Sequence, residues 1–481
     1  MRKVDELFAG KKIMILGLGR EGLSTYHFVR KYLPKEPLTL SDRKSIEELG
    51  EDFLNVSRND KNITFLSGDK YLANLKDYRL VIKTPGVPSK LTEIKEAKKA
   101  GVNFTSQTQI FLENFRDKVI GITGTKGKST TASLIHHILK KTGVKAELMG
   151  NIGKPVLDYF EEGENIDYFV FEMSSHQLSD VNISPHIAVF LNIFPEHLDY
   201  YEDFLDYFKS KLKIIKFQTE KDYFVFNEDI NIIRDIVLKS KAQKYGFTAN
   251  PKRSFTTLLH SSVVNKTIDA EAVLEGMKVK YSEKGLLKHT YDMKDLKLRG
   301  KHNLLNSMVA IIVSEICGCN YSVIKKCLGT FTAVEGRIET VGIIKGVEYV
   351  NDTLATIPEA TIAAIDSFPK EKKITLILGG FDRGLDFDIL GEDICKRKNI
   401  DNIILIGQTA DKIERSLLKN GFVNHVYKLG KTTMLDIVKL ASKLTSPNGL
   451  VLMSPASTSF DMFKDYKDRG DKFRQTVLEL K

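Results

Sequence analysis

At 481 residues the chain is too long for a single hydrophobic core, and at roughly 150 residues per domain it predicts about three domains. Its 42% hydrophobic and 28% charged residues exclude a disordered or fibrous protein, and no run approaches the roughly 18 apolar residues of a membrane span. The net charge of +10 comes from lysines spread along the whole sequence with no basic block, which argues against nucleic acid and for anionic small molecules.

The start, Met1-Arg2-Lys3-Val4-Asp5-Glu6, turns acidic before any apolar stretch and does not have the pattern of a secretory signal, so a cytoplasmic address with no membrane partner is expected. Cys317, Cys319, Cys327 and Cys395 lack paired spacing and are too few to staple a chain this long; they are expected to be small buried hydrophobes or bystanders.

In chain order, Lys12 to Leu16 predicts a strand, Gly17-Leu18-Gly19-Arg20-Glu21-Gly22 a glycine turn, Leu23 to Lys31 a helix and Leu38 to Leu40 a second strand ending at Ser41-Asp42-Arg43. This is the βαβ pattern that binds a diphosphate, with Asp42 placed to accept a hydrogen bond from a ribose or base. The nucleotide stays open; taken alone, the pattern suits NAD. A further strand, Leu80 to Ile82, stops at Lys83-Thr84-Pro85-Gly86, another turn of small residues at the carboxyl edge where open α/β sheets bind ligands.

Next comes Gly121-Ile122-Thr123-Gly124-Thr125-Lys126-Gly127-Lys128-Ser129-Thr130, directly after Val119-Ile120. A strand, a glycine-rich turn and a helix start cradle phosphate with backbone N–H groups, while Lys128 adds a mobile charge and Ser129 or Thr130 can hold magnesium. The ordinary phosphate loop would need a glycine at position 122, where Ile122 stands, so this loop is tighter. The following helix, Ser129 to Thr142, carries Leu134, Ile135, Ile138 and Leu139 at helical spacing and ends at Gly143.

Two more apolar runs deliver polar groups at their ends. Tyr168 to Phe171 leads into Glu172-Met173-Ser174-Ser175-His176-Gln177, and Ile187 to Leu191 leads into Asn192, Glu196, His197 and Asp199. Carboxylates and a histidine just past strand ends beside a phosphate loop suit magnesium. From about Phe247 to Leu298 the sequence is polar and poorly periodic, which predicts short strands or surface excursions. Gly300 to Asn306 opens a helix with Asn303 and Asn306 on one face. From Val334 the α/β rhythm returns: Ile374 to Leu378, Ile403 to Ile406 and Leu450 to Met453 each run into small or polar residues, the mark of a ligand-binding sheet edge.

Together these segments resemble the Mur ligase family, which forms amide bonds in peptidoglycan precursors at the expense of ATP. The motifs that carry the resemblance are Gly124-Thr-Lys-Gly-Lys-Ser-Thr, Gly150-Asn-Ile-Gly, Glu172-Met-Ser-Ser-His-Gln-Leu, Asn192 through Asp199, Gly300-Lys-His-Asn-Leu-Leu-Asn, Asn351-Asp352-Thr353 and Ser457-Thr-Ser-Phe-Asp461. The resemblance implies an α/β protein of three domains: a Rossmann-like substrate domain at 1–115, a central ATP-binding domain with a parallel sheet at 116–333, and a Rossmann-like closing domain at 334–481. It is strongest to the members that add D-glutamate to UDP-N-acetylmuramoyl-L-alanine, and implies a monomeric enzyme.

By resemblance, Gly17, Leu18, Gly19, Arg20, Asp42, Arg43, Thr84 and Gly86 hold the uridine diphosphate end of the substrate, and Asn151, Ser174, Gln177 and His197 lie along the rest of it. Gly124, Thr125, Lys126, Gly127, Lys128, Ser129, Thr130, Asn303, Asn306, Arg337 and Asp352 match positions that bind ATP. Two magnesium ions are implied, on Ser129, Glu172, His197 and Lys211, with Lys128, His197, Lys211 and Arg337 catalytic. Lys211 matches a lysine that the family carbamylates; a carbamate gives magnesium an anionic oxygen where a bare ammonium would repel it. Lys209 and Lys213 are expected to favour the neutral amine by like-charge repulsion.

Thr356, Arg383, Ser459 and Tyr466 match the glutamate contacts, but Leu354 stands where a lysine is usual and Arg383 near where a second lysine is expected. Arginine can clamp a carboxylate and leucine cannot. The same step with L-glutamate is therefore one alternative, and a folylpolyglutamate-type ligase, which shares the tight loop, is another.

Overall fold

The computed structural model describes residues 3–150, 154–196, 200–254, 268–298, 300–332, 335–422 and 424–480. Its contacts divide the chain into two compact units, residues 1–295 with 305–329, and 296–304 with 330–481. No helix among the described residues is long and apolar enough to cross a membrane.

The first unit holds two sheets. β1 (Ile13–Leu16), β2 (Leu38–Asp42), β3 (Ile63–Ser67), β4 (Leu80–Lys83) and β5 (Asn103–Thr105) form a parallel sheet in the order β3-β2-β1-β4-β5. The chain moves outward from β1 through β2 to β3 and then returns to the other side of β1. That reversal leaves a crevice outside the carboxyl ends of β1 and β4, where such sheets bind ligands.

The second sheet contains β6 (Val119–Thr123), β7 (Ala146–Gly150), β8 (Tyr168–Glu172), β9 (Ile187–Phe190), β10 (Tyr223–Asn227), β11 (Gln243–Thr248), β12 (Ala270–Glu275), β13 (Lys278–Glu283) and β14 (Leu286–Asp292). Its order is β14-β13-β12-β11-β10-β9-β6-β8-β7, so β6 runs between β8 and β9 and all three carboxyl ends meet at the phosphate loop. The polar stretch after Phe247 is more regular than its sequence suggests. Strand β12 extends the parallel sheet, and β13 and β14 add antiparallel strands whose Val279, Tyr281 and Tyr291 are fully buried. Alternate residues suffice to bury one face, so mean polarity hides the pattern.

One apolar core runs through both sheets of this unit. Phe28 packs edge-on against Phe160 at 4.9 Å, Phe115 against Phe160 at 5.1 Å and Phe111 against Phe169 at 4.9 Å. A buried ion pair adds to it: the Lys83 ammonium lies 2.6 Å from the Asp180 carboxylate, and Asp180 also accepts a hydrogen bond from the Ser89 hydroxyl at 2.7 Å.

In the second unit, β15 (Glu339–Ile344), β16 (Val347–Asn351), β17 (Ile374–Gly379), β18 (Ile400–Ile406), β19 (His425–Gly430) and β20 (Leu450–Met453) are ordered β15-β16-β20-β17-β18-β19. The strands are parallel except for the β15–β16 hairpin, whose two-residue turn Lys345-Gly346 has positive φ at both positions, the geometry that matches strand twist. Apolar clusters cover both faces of this sheet. None of the four cysteines forms a disulfide; Cys319 and Cys327 are buried, and Cys317 and Cys395 partly so.

Candidate active site

The turn after β6 is held open by its neighbours. Asn192, at the end of β9, accepts the N–H groups of Thr125 and Lys126 on its Oδ1 at 3.0 and 2.8 Å and donates its Nδ2 to Lys126 O at 2.9 Å. Gly127 has φ +87°, and a Cβ there would come within 2.5 Å of Asn306 Oδ1, so position and conformation both require glycine. The helix Lys128–Lys141 starts one residue earlier than its apolar spacing predicts, which puts Lys128 in the first turn with Ser129 and Thr130 buried behind it. The Lys128 ammonium bonds to Gly124 O and Thr125 O, both at 3.0 Å, and so lies over the concave side of the loop.

Lys211 reaches the same loop from the helix Phe204–Lys216. It is 2% exposed and donates to Gly124 O at 2.9 Å and to Thr123 Oγ1 at 3.4 Å. Burial drives its pKa well below the usual lysine range, the Lys128 charge pushes it further down, and Glu196 and Glu172 pull it partly back. The bias toward the neutral amine therefore arises from burial and Lys128; Lys209 is exposed and Lys213 turns away to donate to Ser179 O at 2.6 Å, which corrects the expectation that these two neighbours act on it.

Glu172 is 3% exposed, and its Oε2 has no hydrogen-bond partner among the described residues. A buried carboxylate oxygen left unpaired beside a phosphate loop is what a cation would satisfy, so the Ser129 and Glu172 oxygens fit magnesium. A cavity of about 400 Å³ adjoins the loop and is lined by Lys128, Lys211, Glu196, Ser174, Gln177 and Gly86, with Glu21, His176, Tyr200 and Tyr207 also on its wall. Glu196 pairs with Lys126 at 2.9 Å. Tyr207 was not singled out from sequence, although it lies one helical turn from Lys211, a spacing that puts both on one face. Its hydroxyl meets Thr125 Oγ1 at 3.0 Å. His197 and Asn151 lie outside the described residues.

Ser174 and Gln177 form a capping box: the Ser174 hydroxyl accepts Gln177 N–H at 3.1 Å and Gln177 Oε1 accepts Ser174 N–H at 3.0 Å. Gln177 Nε2 donates to Glu21 at 2.8 Å, and burial raises the Glu21 pKa. Both predicted substrate contacts thus shape the turn that borders the cavity.

At the crevice of the first sheet, Gly17 has φ +92° and a Cβ on it would lie 1.9 Å from Thr84 Oγ1. Asp42 braces this turn, accepting Leu18 N–H at 2.6 Å on Oδ2 and Lys44 N–H at 2.9 Å on Oδ1, which leaves each oxygen a further lone pair. Arg20 donates to Gly150 O at 2.8 Å, while Gly19, Arg43 and Gly86 are exposed. Gly17→Val is expected to lower stability by about 2 kcal/mol or more and to weaken diphosphate binding, as read by the urea midpoint and by titration with UDP.

Within the second unit, the carboxyl ends of β16, β20 and β17 carry the remaining residues. Arg469 is fully buried and donates to Thr353 Oγ1 at 2.9 Å, Thr353 O at 2.9 Å and Ser457 O at 3.0 Å; Thr353 Oγ1 donates to Tyr466 O at 3.0 Å, and Phe381 N–H to Thr458 O at 2.8 Å. Three loops are thereby tied together, bearing Ser459 and Tyr466, the Thr353 to Thr356 stretch, and Arg383. The Ser459 hydroxyl is buried without a hydrogen bond among the described residues, Tyr466 and Arg383 are exposed, and Thr356 is half-buried. Sequence alone gave no sign of Arg469, whose role depends on its burial.

Asp352 accepts Ile338 N–H at 3.1 Å and the Ser454 hydroxyl at 2.7 Å. Burial raises its pKa from 3.8 to about 7, against the pull of Ser454 and Arg337, whose Nε is itself buried without a hydrogen bond among the described residues. The folded chain thus binds a proton here that the unfolded chain has lost, so this group's contribution to stability falls as pH rises from about 4 to about 7. Asp352→Asn is expected to remove that slope, a difference on the order of 1–3 kcal/mol in urea titrations at the two pH values. Asn303 is buried near the start of the helix Lys301–Ile316.

A profile of the Mur ligase middle domain matches residues 122–314. The chain is 33% identical over 474 residues to the UDP-N-acetylmuramoylalanine–D-glutamate ligase of Acetivibrio thermocellus, covering 98% of this chain and 97% of that one. The chain belongs to the Mur ligase family. The enzyme of the same name from Christiangramia forsetii is 34% identical to this Mur ligase over 478 residues, covering 98% and 100%. Among solved structures, the UDP-N-acetylmuramate–alanine ligase of Thermotoga maritima shares the fold with a TM-score of 0.57 at 18% identity, covering 98% and 100%. Mur ligases use ATP with magnesium, and the MurF ligase of Thermotoga maritima is known in complex with ADP.

Proposed function

We propose that this Mur ligase joins D-glutamate to UDP-N-acetylmuramoyl-L-alanine, converting ATP to ADP and phosphate, as a cytoplasmic monomer in peptidoglycan precursor synthesis. The observation that carries the reading is the meeting of Lys128, Lys211 and Glu172, whose Oε2 has no hydrogen-bond partner among the described residues, at one phosphate loop beside a cavity. Relatives over nearly the full length bear the name of that activity.

In this reading the 124–130 turn grips the ATP phosphates, and the crevice at Gly17, Leu18 and Thr84 takes the uridine diphosphate. The terminal carboxylate of the alanyl group attacks the γ-phosphorus, and ADP leaves with the electron pair of the broken P–O bond. Lys128 and Arg337 spread the charge that develops. The glutamate amine then attacks the acyl phosphate carbon, loses a proton and expels phosphate, leaving an amide. Thr356, Arg383, Ser459 and Tyr466 orient the glutamate, and exclusion of water protects the acyl phosphate.

Ser129, Glu172, His197 and a carbamate on Lys211 would hold two magnesium ions, which supply positive charge against the transferring phosphoryl group. The neutral Lys211 amine forms that carbamate by attacking carbon dioxide and releasing one proton.

Incubation with ATP, magnesium and UDP-N-acetylmuramoyl-L-alanine, with D- and L-glutamate offered separately, is expected to release phosphate with the D form. Release with neither sinks the ligase reading, and release with the L form alone reverses the stereochemistry, the outcome that Leu354 would then explain.

A further inference from the structure

The helix Phe204–Lys216 separates two cavities. Tyr207 and Lys211 turn toward the first, described above, while Lys209, Leu212, Lys213 and Lys216, at three- and four-residue spacing, line a second cavity of about 950 Å³ on the other side. That volume lies at the upper end of the roughly 300–1,000 Å³ range of small-molecule sites. Tyr200 lines both cavities, and its ring packs against His176 of the first at 4.2 Å.

The second cavity has two kinds of wall. Tyr201, Leu212, Ile215, Phe217 and Ile236 give it an apolar lining. Lys90, Lys95, Lys209, Lys213, Lys216 and Lys241 surround that lining, against the two acids Glu202 and Asp206. Among the described residues the ammonium groups of Lys90, Lys95, Lys209 and Lys241 make no ion pair or hydrogen bond, and all four side chains are exposed. Six cations around an apolar lining, with so few anions to neutralise them, form a surface complementary to a molecule that is greasy at one end and acidic at the other.

We propose that this cavity binds an amphipathic organic anion, with its apolar body against Leu212, Ile215 and Ile236 and its acidic head among the lysines, and that the occupant slows turnover through the shared Tyr200 wall and the helix that carries Lys211. The ligand class follows from the lining alone. The effect on turnover rests on the ligase reading, and the two halves are tested by separate readouts.

The probe is 8-anilinonaphthalene-1-sulfonate, an aromatic body with one sulfonate, titrated by fluorescence into the full-length folded chain. Saturable one-site binding is expected, retained in saturating ATP and magnesium. Binding is expected to weaken by roughly tenfold in the Lys216→Glu/Lys241→Glu double variant, where two attractions become repulsions. Ile236→Trp, which fills the lining without changing charge, is expected to weaken it similarly. Circular dichroism and thermal melting establish that both variants are folded, and both are expected to keep basal phosphate release. Saturating dye is expected to slow phosphate release severalfold in the wild type, and in Ile236→Trp half-maximal slowing is expected at roughly tenfold higher dye. Equal binding by the wild type and both variants, or displacement by ATP, overturns the site. Undiminished turnover of the saturated wild type overturns the link to the catalytic cavity. A chain that binds the dye as expected but turns over no substrate counts against the ligase reading and leaves the binding site standing.

Discussion

Lys211→Ala is expected to lower kcat by roughly 10²–10³-fold and to regain part of the loss in excess acetate or formate, which would place a carboxylate oxygen where the carbamate oxygen had been. The argument starts from burial. An ammonium at 2% exposure, against Gly124 O and under the field of Lys128, is costly, so the group gives up its proton more readily than a free lysine and supplies the amine that reacts with carbon dioxide. Enzyme prepared without bicarbonate should therefore be nearly inactive and recover on its addition, faster as pH rises. The stability effect has the opposite sign from the activity effect. Below the ordinary lysine value of 10.5 the unfolded chain binds a proton that the folded chain refuses, so the unmodified wild type gains stability as pH rises toward that value. Lys211→Met, in bicarbonate-free buffer, removes that slope and should be the more stable protein at neutral pH while remaining inactive. Urea midpoints across pH check the first statement and phosphate release the second. Full activity of Lys211→Ala without added carboxylate would refute the carbamate.

Lys128→Met is expected to cost a comparable 10²–10³-fold in kcat, because its ammonium is the one in the first turn of the loop's helix and is already directed across the loop by Gly124 O and Thr125 O. Its neighbour supplies a second readout. Lys128 is the largest charge that depresses the Lys211 pKa, so its removal raises that pKa and shifts recovery with bicarbonate toward higher pH. A merely structural lysine would leave that pH profile where it was. Circular dichroism distinguishes loss of the loop's charge from loss of the fold.

The parts of the site that sequence made legible are those whose chemistry is local. Gly127 and Lys128 are constrained by the turn they make, and Glu172 and Asn192 announce themselves because each follows an apolar run; the order β9-β6-β8 then puts both strand ends beside the phosphate loop. What escaped depends on partners distant in the chain. Arg469 lacks any motif, and its three bonds to Thr353 and Ser457 exist only once β16 and β20 lie side by side. Asp42 has the right spacing for a ligand acceptor, but spacing does not tell that its oxygens also brace the turn through Leu18 N–H and Lys44 N–H. Sequence proximity points to Lys209 and Lys213 for the electrostatics of Lys211, and only folding reveals that Lys128, 83 positions away in the chain, is the cation that lowers its pKa. Strands β12 to β14 were obscured by their exposed faces, since Lys278, Leu286 and Lys288 share strands with the fully buried Val279, Tyr281 and Tyr291.

The Lys83–Asp180 contact carries a lesson for anyone exchanging parts between relatives. One charge ends a strand of the amino-terminal sheet and the other follows β8 of the central one, both almost dry. A chimera that imports residues 1–115 from a homologue lacking this lysine would leave a nearly dry aspartate without its ion-pair partner, at a cost of about 3–5 kcal/mol. Grafts therefore have to carry both charges together or replace both with a well-packed neutral pair, and the junction that looks natural on the sequence is the wrong place to cut.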